Sequence, residues 1–193
     1  MKKRDYGLTF SRREKKITNQ MITDILSWIF VVFLAVFLAY VLARTLGTRI
    51  EMAGTSMEPG LHNRQVVYVN RVIYSLIPPR TGDVIVFTPN GNANQLYSVK
   101  RVVGVPGDTV QIRNGKLYIN GDIVDNYRDN IADAGIVEER LVLGEDEFFV
   151  MGDNPNSSED SRSANIGPVK RTEVLGKAWL HMAGGDEGIG KVE

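Results

Sequence analysis

From Ile25 to Ala43 the chain reads ILSWIFVVFLAVFLAYVLA, uncharged throughout, with Ser27 as its one clearly polar side chain. As a helix rising ~1.5 Å per residue, this run is about 28 Å long, close to the ~30 Å hydrocarbon core of a bilayer. It predicts one transmembrane helix and forces the rest of the chain to fold separately. Buried core helices are usually shorter, and this run carries basic residues before it and Arg44 and Arg49 after it. A cleaved signal peptide would have an apolar core of roughly 7 to 15 residues and a small-x-small site. This run is longer, and Leu42-Ala43-Arg44 offers no such site. Trp28 and Tyr40, near its two ends, suit interfacial anchoring.

Charge then sets the expected topology. Lys2, Lys3, Arg4, Arg12, Arg13, Lys15 and Lys16 precede the run, against Asp5, Glu14 and Asp24. The positive-inside rule assigns residues 1–24 to a basic cytoplasmic tail, 25–43 to the membrane and 44–193 to an extracytoplasmic domain. The basic cluster thus reads as a topology signal, and the lipid bilayer rather than nucleic acid is the expected partner.

The domain after Arg44 has no cysteine, which removes disulfides and a thiol nucleophile together. His62 and His181 are the chain's two histidines, and HExxH is absent. Neither a metal nor any other cofactor is expected. Short β-type runs alternate with turn signals: Val66–Val69, Arg71–Tyr74, Val84–Phe87, Leu96–Val105, Val110–Ile112, Leu117–Ile119, Asp122–Val124, Phe148–Met151 and Val174–Leu180. Asn114-Gly115 and Asn120-Gly121 are hairpin signals. Residues 125–139 read as a polar surface loop or short helix. The fold class is therefore mainly β, antiparallel and hairpin-linked, behind one membrane helix.

Three stretches carry candidate chemistry. Gly54-Thr55-Ser56-Met57-Glu58-Pro59-Gly60-Leu61 places the Ser56 hydroxyl on a forced turn. Tyr97-Ser98-Val99-Lys100-Arg101-Val102-Val103 sets Lys100 in an apolar strand, where an ammonium is costly unless paired or neutral. A half-exposed strand would instead solvate that lysine. Gly152-Asp153-Asn154-Pro155-Asn156-Ser157-Ser158-Glu159-Asp160-Ser161-Arg162 gathers hydroxyls, carboxylates and an arginine behind an apolar strand.

In order and content these stretches, with Arg80-Thr81-Gly82-Asp83-Val84-Ile85-Val86-Phe87 and the strand end Gly104-Val105-Pro106-Gly107-Asp108, resemble the bacterial type I signal peptidases. These are Ser–Lys dyad serine proteases, and the resemblance covers nearly the whole chain. Gly60, where the family commonly has Thr, and Pro155, where it commonly has Arg, depart from the pattern without touching a dyad position. The resemblance implies Ser56 as nucleophile, Lys100 as general base, Ser158 as the hydroxyl that orients the lysine, and Asp160 with Arg162 as a structural pair. It also implies a β domain of the signal peptidase and LexA-like type. The substrates would be preprotein signal peptides cut at small-x-small sites, at a cell membrane and near the secretion translocon.

The chemistry is consistent with that reading. A lysine serves as base only when neutral, which requires its pKa to fall several units from about 10.4, and apolar neighbours do this. Val99, Val102 and Val103 are the neighbours in sequence. A Ser-His-Asp triad through His62 is disfavoured because only six residues separate His62 from Ser56 in a turn. The Ser56 N–H is the natural oxyanion donor. Met52, Met57 and Val99, which flank the dyad, are candidate substrate-pocket residues. The alternatives are a membrane-anchored self-cleaving LexA-like regulator, which would need a DNA-binding domain and a cleavage loop ahead of the serine, and a non-catalytic binding module.

Overall fold

The computed structural model describes residues 19–92, 96–127, 131–184 and 188–192. The basic cluster from Lys2 to Lys16 lies outside these residues. The chain divides into two units, 1–41 and 42–193.

Helix α1 spans Asn19–Leu46, 28 residues. Within Asn19–Thr45 an 18-residue window has mean hydropathy 2.8 and no buried side chain, the pattern of a lipid-facing helix. The helix starts six residues before the apolar run, so residues 19–24 are helical, and Thr23 donates its hydroxyl to the Gln20 carbonyl within it.

The second unit holds two antiparallel sheets. The larger comprises β1 (Thr48–Glu51), β2 (Val66–Asn70), β3 (Val84–Phe87), β4 (Ser98–Gly104), β9 (Glu147–Met151), β10 (Val169–Lys170), β11 (Val174–His181) and β12 (Gly190–Lys191). Its order is β1-β2-β11-β3-β4-β9-β10, with β12 on β11. The smaller, in order β7-β6-β5-β8, comprises β5 (Thr109–Arg113), β6 (Lys116–Ile119), β7 (Asp122–Ile123) and β8 (Leu141–Val142). Asn114 and Gly115 both take positive φ, as do Asn120 and Gly121. This is the left-handed backbone that a two-residue hairpin demands, so each dipeptide folds β5–β6 and β6–β7 as expected.

Alternation along β3 divides the core. Val84 and Val86 join Met52, Met57, Leu61, Val67, Val69 and Val99 on one face. Ile85 and Phe87 join Val102, Phe148 and Val150 on the other. A third cluster, including Val103, Val110, Leu117, Tyr127, Val137 and Phe149, closes the smaller sheet.

Two expected elements differ. The run Arg71–Tyr74 is not a strand: helix α2 occupies Ile73–Leu76, and the Asn70 side chain accepts from the Val72 and Ile73 N–H groups, ending β2. Local hydrogen bonding from Asn outweighs the β preference of Val and Ile. Residues 125–139 are not merely surface, because Tyr127, Ile131 and Val137 are buried in the third cluster. Their spacing matches no regular period, since Tyr127 and Val137 sit in separate 3-10 turns, 125–127 and 135–137, and Ile131 lies between them.

Candidate active site

Ser56 sits on the turn after β1. Met52 N–H donates to the Gln65 carbonyl and Arg64 N–H to the Met52 carbonyl, closing a loop of which Ser56 is near the apex. Gly54 has φ +89 and no atom within 4 Å of a Cβ position, so the backbone conformation, not space, calls for glycine there. Its N–H donates to Asn63 Oδ1 at 3.0 Å. Met57 is fully buried and Leu61 nearly so, anchoring the turn from below and leaving the Ser56 side chain half-buried.

Lys100 lies in β4, opposite Ile85 of β3. Register partners share a face, as do residues two apart along a strand, so Lys100 emerges among Ile85, Val102 and Ser98. Its side chain is 6% exposed, and the solvated-strand alternative fails. Lys100 Nζ lies 2.7 Å from Ser56 Oγ. Among the described residues no carboxylate approaches Nζ within ion-pair distance. Burial pushes the amine below its ordinary value, opposed by the more distant Asp160 and Glu159, aided by Arg162 and opposed by Asp153.

The loop after β9 packs on this pair from behind. Asn154 N–H donates to the Ser56 carbonyl at 3.0 Å. Gly152 is held so close that a Cβ there would stand 2.3 Å from the same oxygen and 2.5 Å from Ser158 Oγ. Asp160 and Arg162, 1% and 6% exposed, form a two-pronged pair, Nε to Oδ1 at 2.8 Å and Nη2 to Oδ2 at 3.0 Å. Arg162 Nη1 also donates to the Asp133 carbonyl and Nη2 to those of Pro155 and Ser158, while Asp160 also accepts from Gly152 N–H at 3.2 Å. Both charges are thereby satisfied, which a buried pair needs to persist.

A second pair was not legible in the sequence. Arg101 reaches Asp153 with Nε–Oδ1 and Nη2–Oδ2 both at 2.7 Å, and donates to the Gly82 carbonyl. Arg101 follows the lysine and Asp153 precedes the Asn154 that holds Ser56. The pair therefore ties the strand of one to the loop gripping the other. Adjacency of Arg to Lys100 and of Asp to Gly152 was the available signal, but the contact spans 52 residues.

Ser158 is placed beside Gly152, yet its Oγ is buried without a hydrogen-bond partner among the described residues. It does not bond Lys100 in this conformation. Met52, Met57 and Val99 are 4%, 0% and 6% exposed and belong to the core cluster on the opposite sheet face. Each is the chain neighbour of a residue that lines the cleft and points away from it. The cleft at the dyad, about 490 Å³, is walled by Ala53, Gly54, Leu96, Ser98 and Ile166 among others. Neither histidine lines it: the His181 ring pairs with Gln65 Nε2 at 2.9 Å, and the His62 backbone donates to Gln65 Oε1. No group of metal-ligating side chains is found among the described residues.

A buried lysine without a counter-ion among the described residues, set against a serine hydroxyl, has the geometry that a Ser–Lys dyad needs. The family model described as "Signal peptidase, peptidase S26" matches residues 25–183. Signal peptidase I of Bacillus amyloliquefaciens is 32% identical over 174 residues, 86% of this chain and 91% of its own. Signal peptidase I S of Bacillus subtilis (strain 168) is 32% identical over 79% of this chain and 86% of its own. A solved signal peptidase I from Enterococcus faecalis V583, 32% identical, covers 51% of this chain and 95% of its own with a TM-score of 0.41. With 159 consecutive residues, 25 through 183, inside one family model and a relative 32% identical over 86% of the chain, the chain belongs to the signal peptidase family, peptidase S26.

Proposed function

We propose that this chain removes N-terminal signal peptides from exported preproteins as a membrane-anchored serine endopeptidase, with Ser56 as nucleophile and Lys100 as general base. The observation that carries the assignment of roles is the 2.7 Å approach of a buried, counter-ion-free Lys100 Nζ to Ser56 Oγ. Neutral Nζ takes the hydroxyl proton as Oγ attacks the scissile carbonyl. The Ser56 N–H receives the developing oxyanion. Collapse breaks the C–N bond, and the protonated amine of Lys100 returns its proton to the leaving nitrogen. A water, deprotonated by Nζ in its turn, then hydrolyses the acyl-Ser56 ester.

Substrate binding follows from the free edge of β4. Pairing with β9 begins at Arg101 opposite Met151, so residues 98–100 have β3 on one side and no strand on the other among the described residues. An extended peptide added there gains backbone hydrogen bonds irrespective of sequence, and the shallow walls at Ala53, Leu96 and Ile166 favour small side chains. Met52, Met57 and Val99 hold those walls from the core side. Ser158, its hydroxyl lacking another partner among the described residues, orients the lysine amine once the two rotate together. Asp160 and Arg162 keep the loop in shape.

The apolar helix supports anchoring in a membrane. With the basic tail inside, the catalytic unit works on the outer face of the cell membrane, where emerging preproteins arrive, close to the secretion translocon. Incubating the detergent-solubilised full chain with a purified preprotein tests the reading. Wild type should release the mature protein and Ser56→Ala should not; cleavage by Ser56→Ala would refute it.

A further inference from the structure

An endopeptidase binds chain on both sides of the bond it cuts, and the cleft at the dyad has a neighbour. A second cavity of about 600 Å³ is lined by Asp133, Ile136, Asn156, Ser158, Glu159 and Ser163 among others. Glu159 lines both cavities, and Ser157 of the first adjoins Ser158 of the second, so the two meet at the loop that packs on Ser56. Their walls differ. Around the dyad all but Lys100 and Glu159 are uncharged, with Ala53, Gly54, Ser56 and Ser98 among the small ones. The second is charged. Asp160 and Arg162 neutralise one another there, leaving Asp133 and Glu159 without a cation among the described residues. Asp133 Oδ1 accepts from Gly135 N–H at 2.9 Å, and Glu159 Oε1 lies 3.4 Å from Asn165 Nδ2, so both carboxylates are oriented by neutral donors. Lys100 does not compensate them in the working enzyme, because the base is neutral.

We infer that the second cavity receives the first residues of the mature protein, and that Glu159, assisted by Asp133, favours basic over acidic side chains there. The inference rests on the proposed reading of the site.

The test uses the full chain in detergent and three preproteins identical up to the cleavage site. Their second and third mature residues are Lys-Lys, Gln-Gln or Glu-Glu. The quantity read is the ratio of kcat/KM for the Lys-Lys and Glu-Glu substrates at one pH. Both values come from the same enzyme, so any shift in the Lys100 pKa cancels. Wild type should favour Lys-Lys, and in Glu159→Lys the ratio should fall by about tenfold or more, as expected when a nearby charge is reversed. Glu159→Gln, the milder variant, should lower it by about threefold. A ratio that is the same in wild type and both variants overturns the inference. Failure of wild type to cut the Gln-Gln preprotein would instead count against the proposed function itself.

Discussion

Replacing Gly152 with alanine probes how tightly the site is assembled. A Cβ at this position would stand 2.3 Å from the Ser56 carbonyl oxygen, 2.5 Å from Ser158 Oγ and 2.6 Å from Ser158 Cβ. Carbon–oxygen contacts of even the favourable kind start near about 3.3 Å, so the Ser56 backbone or the Gly152 strand end must give by about 1 Å. The Ser56 carbonyl is held by Asn154 N–H two residues on, and the loop is fixed by Asp160 and by Arg101–Asp153. The strain therefore passes into the Oγ–Nζ distance, and misplacing a reacting group by about 1 Å costs on the order of 100-fold in rate. Overpacking should lower stability by about 1–3 kcal/mol. Gly107→Ala is the control: φ is +86 with open space around it, so it strains the backbone without crowding anything and should leave kcat intact. The assay is kcat for preprotein cleavage in detergent with a thermal melt of each variant. A folded Gly152→Ala enzyme with more than about a tenth of wild-type kcat would refute the reasoning.

Other substitutions separate chemistry from scaffold. Lys100→Met should abolish cleavage yet raise the melting temperature, about 2–4 °C per kcal/mol for a domain of this size. Because burial lowers the folded-state pKa of Lys100, the unfolded chain binds the extra proton between that value and the ordinary 10.5. Wild-type stability therefore rises with pH across that window, and the advantage of Met should shrink over it, which melts at several pH values would show. Ser158→Ala should lower kcat about 10- to 1000-fold, roughly 1.4 to 4 kcal/mol, with about 1 kcal/mol or less change in stability. Asp160→Ala leaves the buried Arg162 uncompensated and should destabilise by about 3–5 kcal/mol, so its activity loss should track the melting temperature.

The parts of this structure visible in the sequence are those fixed by short-range chemistry. Asn-Gly dipeptides dictate left-handed turns wherever they occur, and an uncharged run the length of a bilayer core allows little besides a membrane helix. Ser56, Lys100, Asp160 and Arg162 were legible because each stands in a motif with distinctive neighbours. Facing was harder. Val99 adjoins Lys100 in sequence but alternation turns it to the other sheet face, and the lysine is desolvated by Ile85 from another strand and by Val102, two positions along its own. The turn after β1 buries Met52 and Met57 in the core and leaves Ala53 and Ser56 in the cleft. Arg101–Asp153 and the contact of Gly152 with Ser56 join distant segments, and no local pattern encodes which carboxylate an arginine will find.

The central claim is that a neutral, buried lysine activates Ser56, and the pH dependence of kcat/KM for preprotein cleavage tests it most directly. Burial lowers the Lys100 pKa below 10.5. The rate should therefore rise with pH through a single ionisation below that value and then level off, as the amine loses its proton. A rate that is flat across the range in which the enzyme stays folded, or that climbs only as pH reaches the ordinary lysine value, would contradict it.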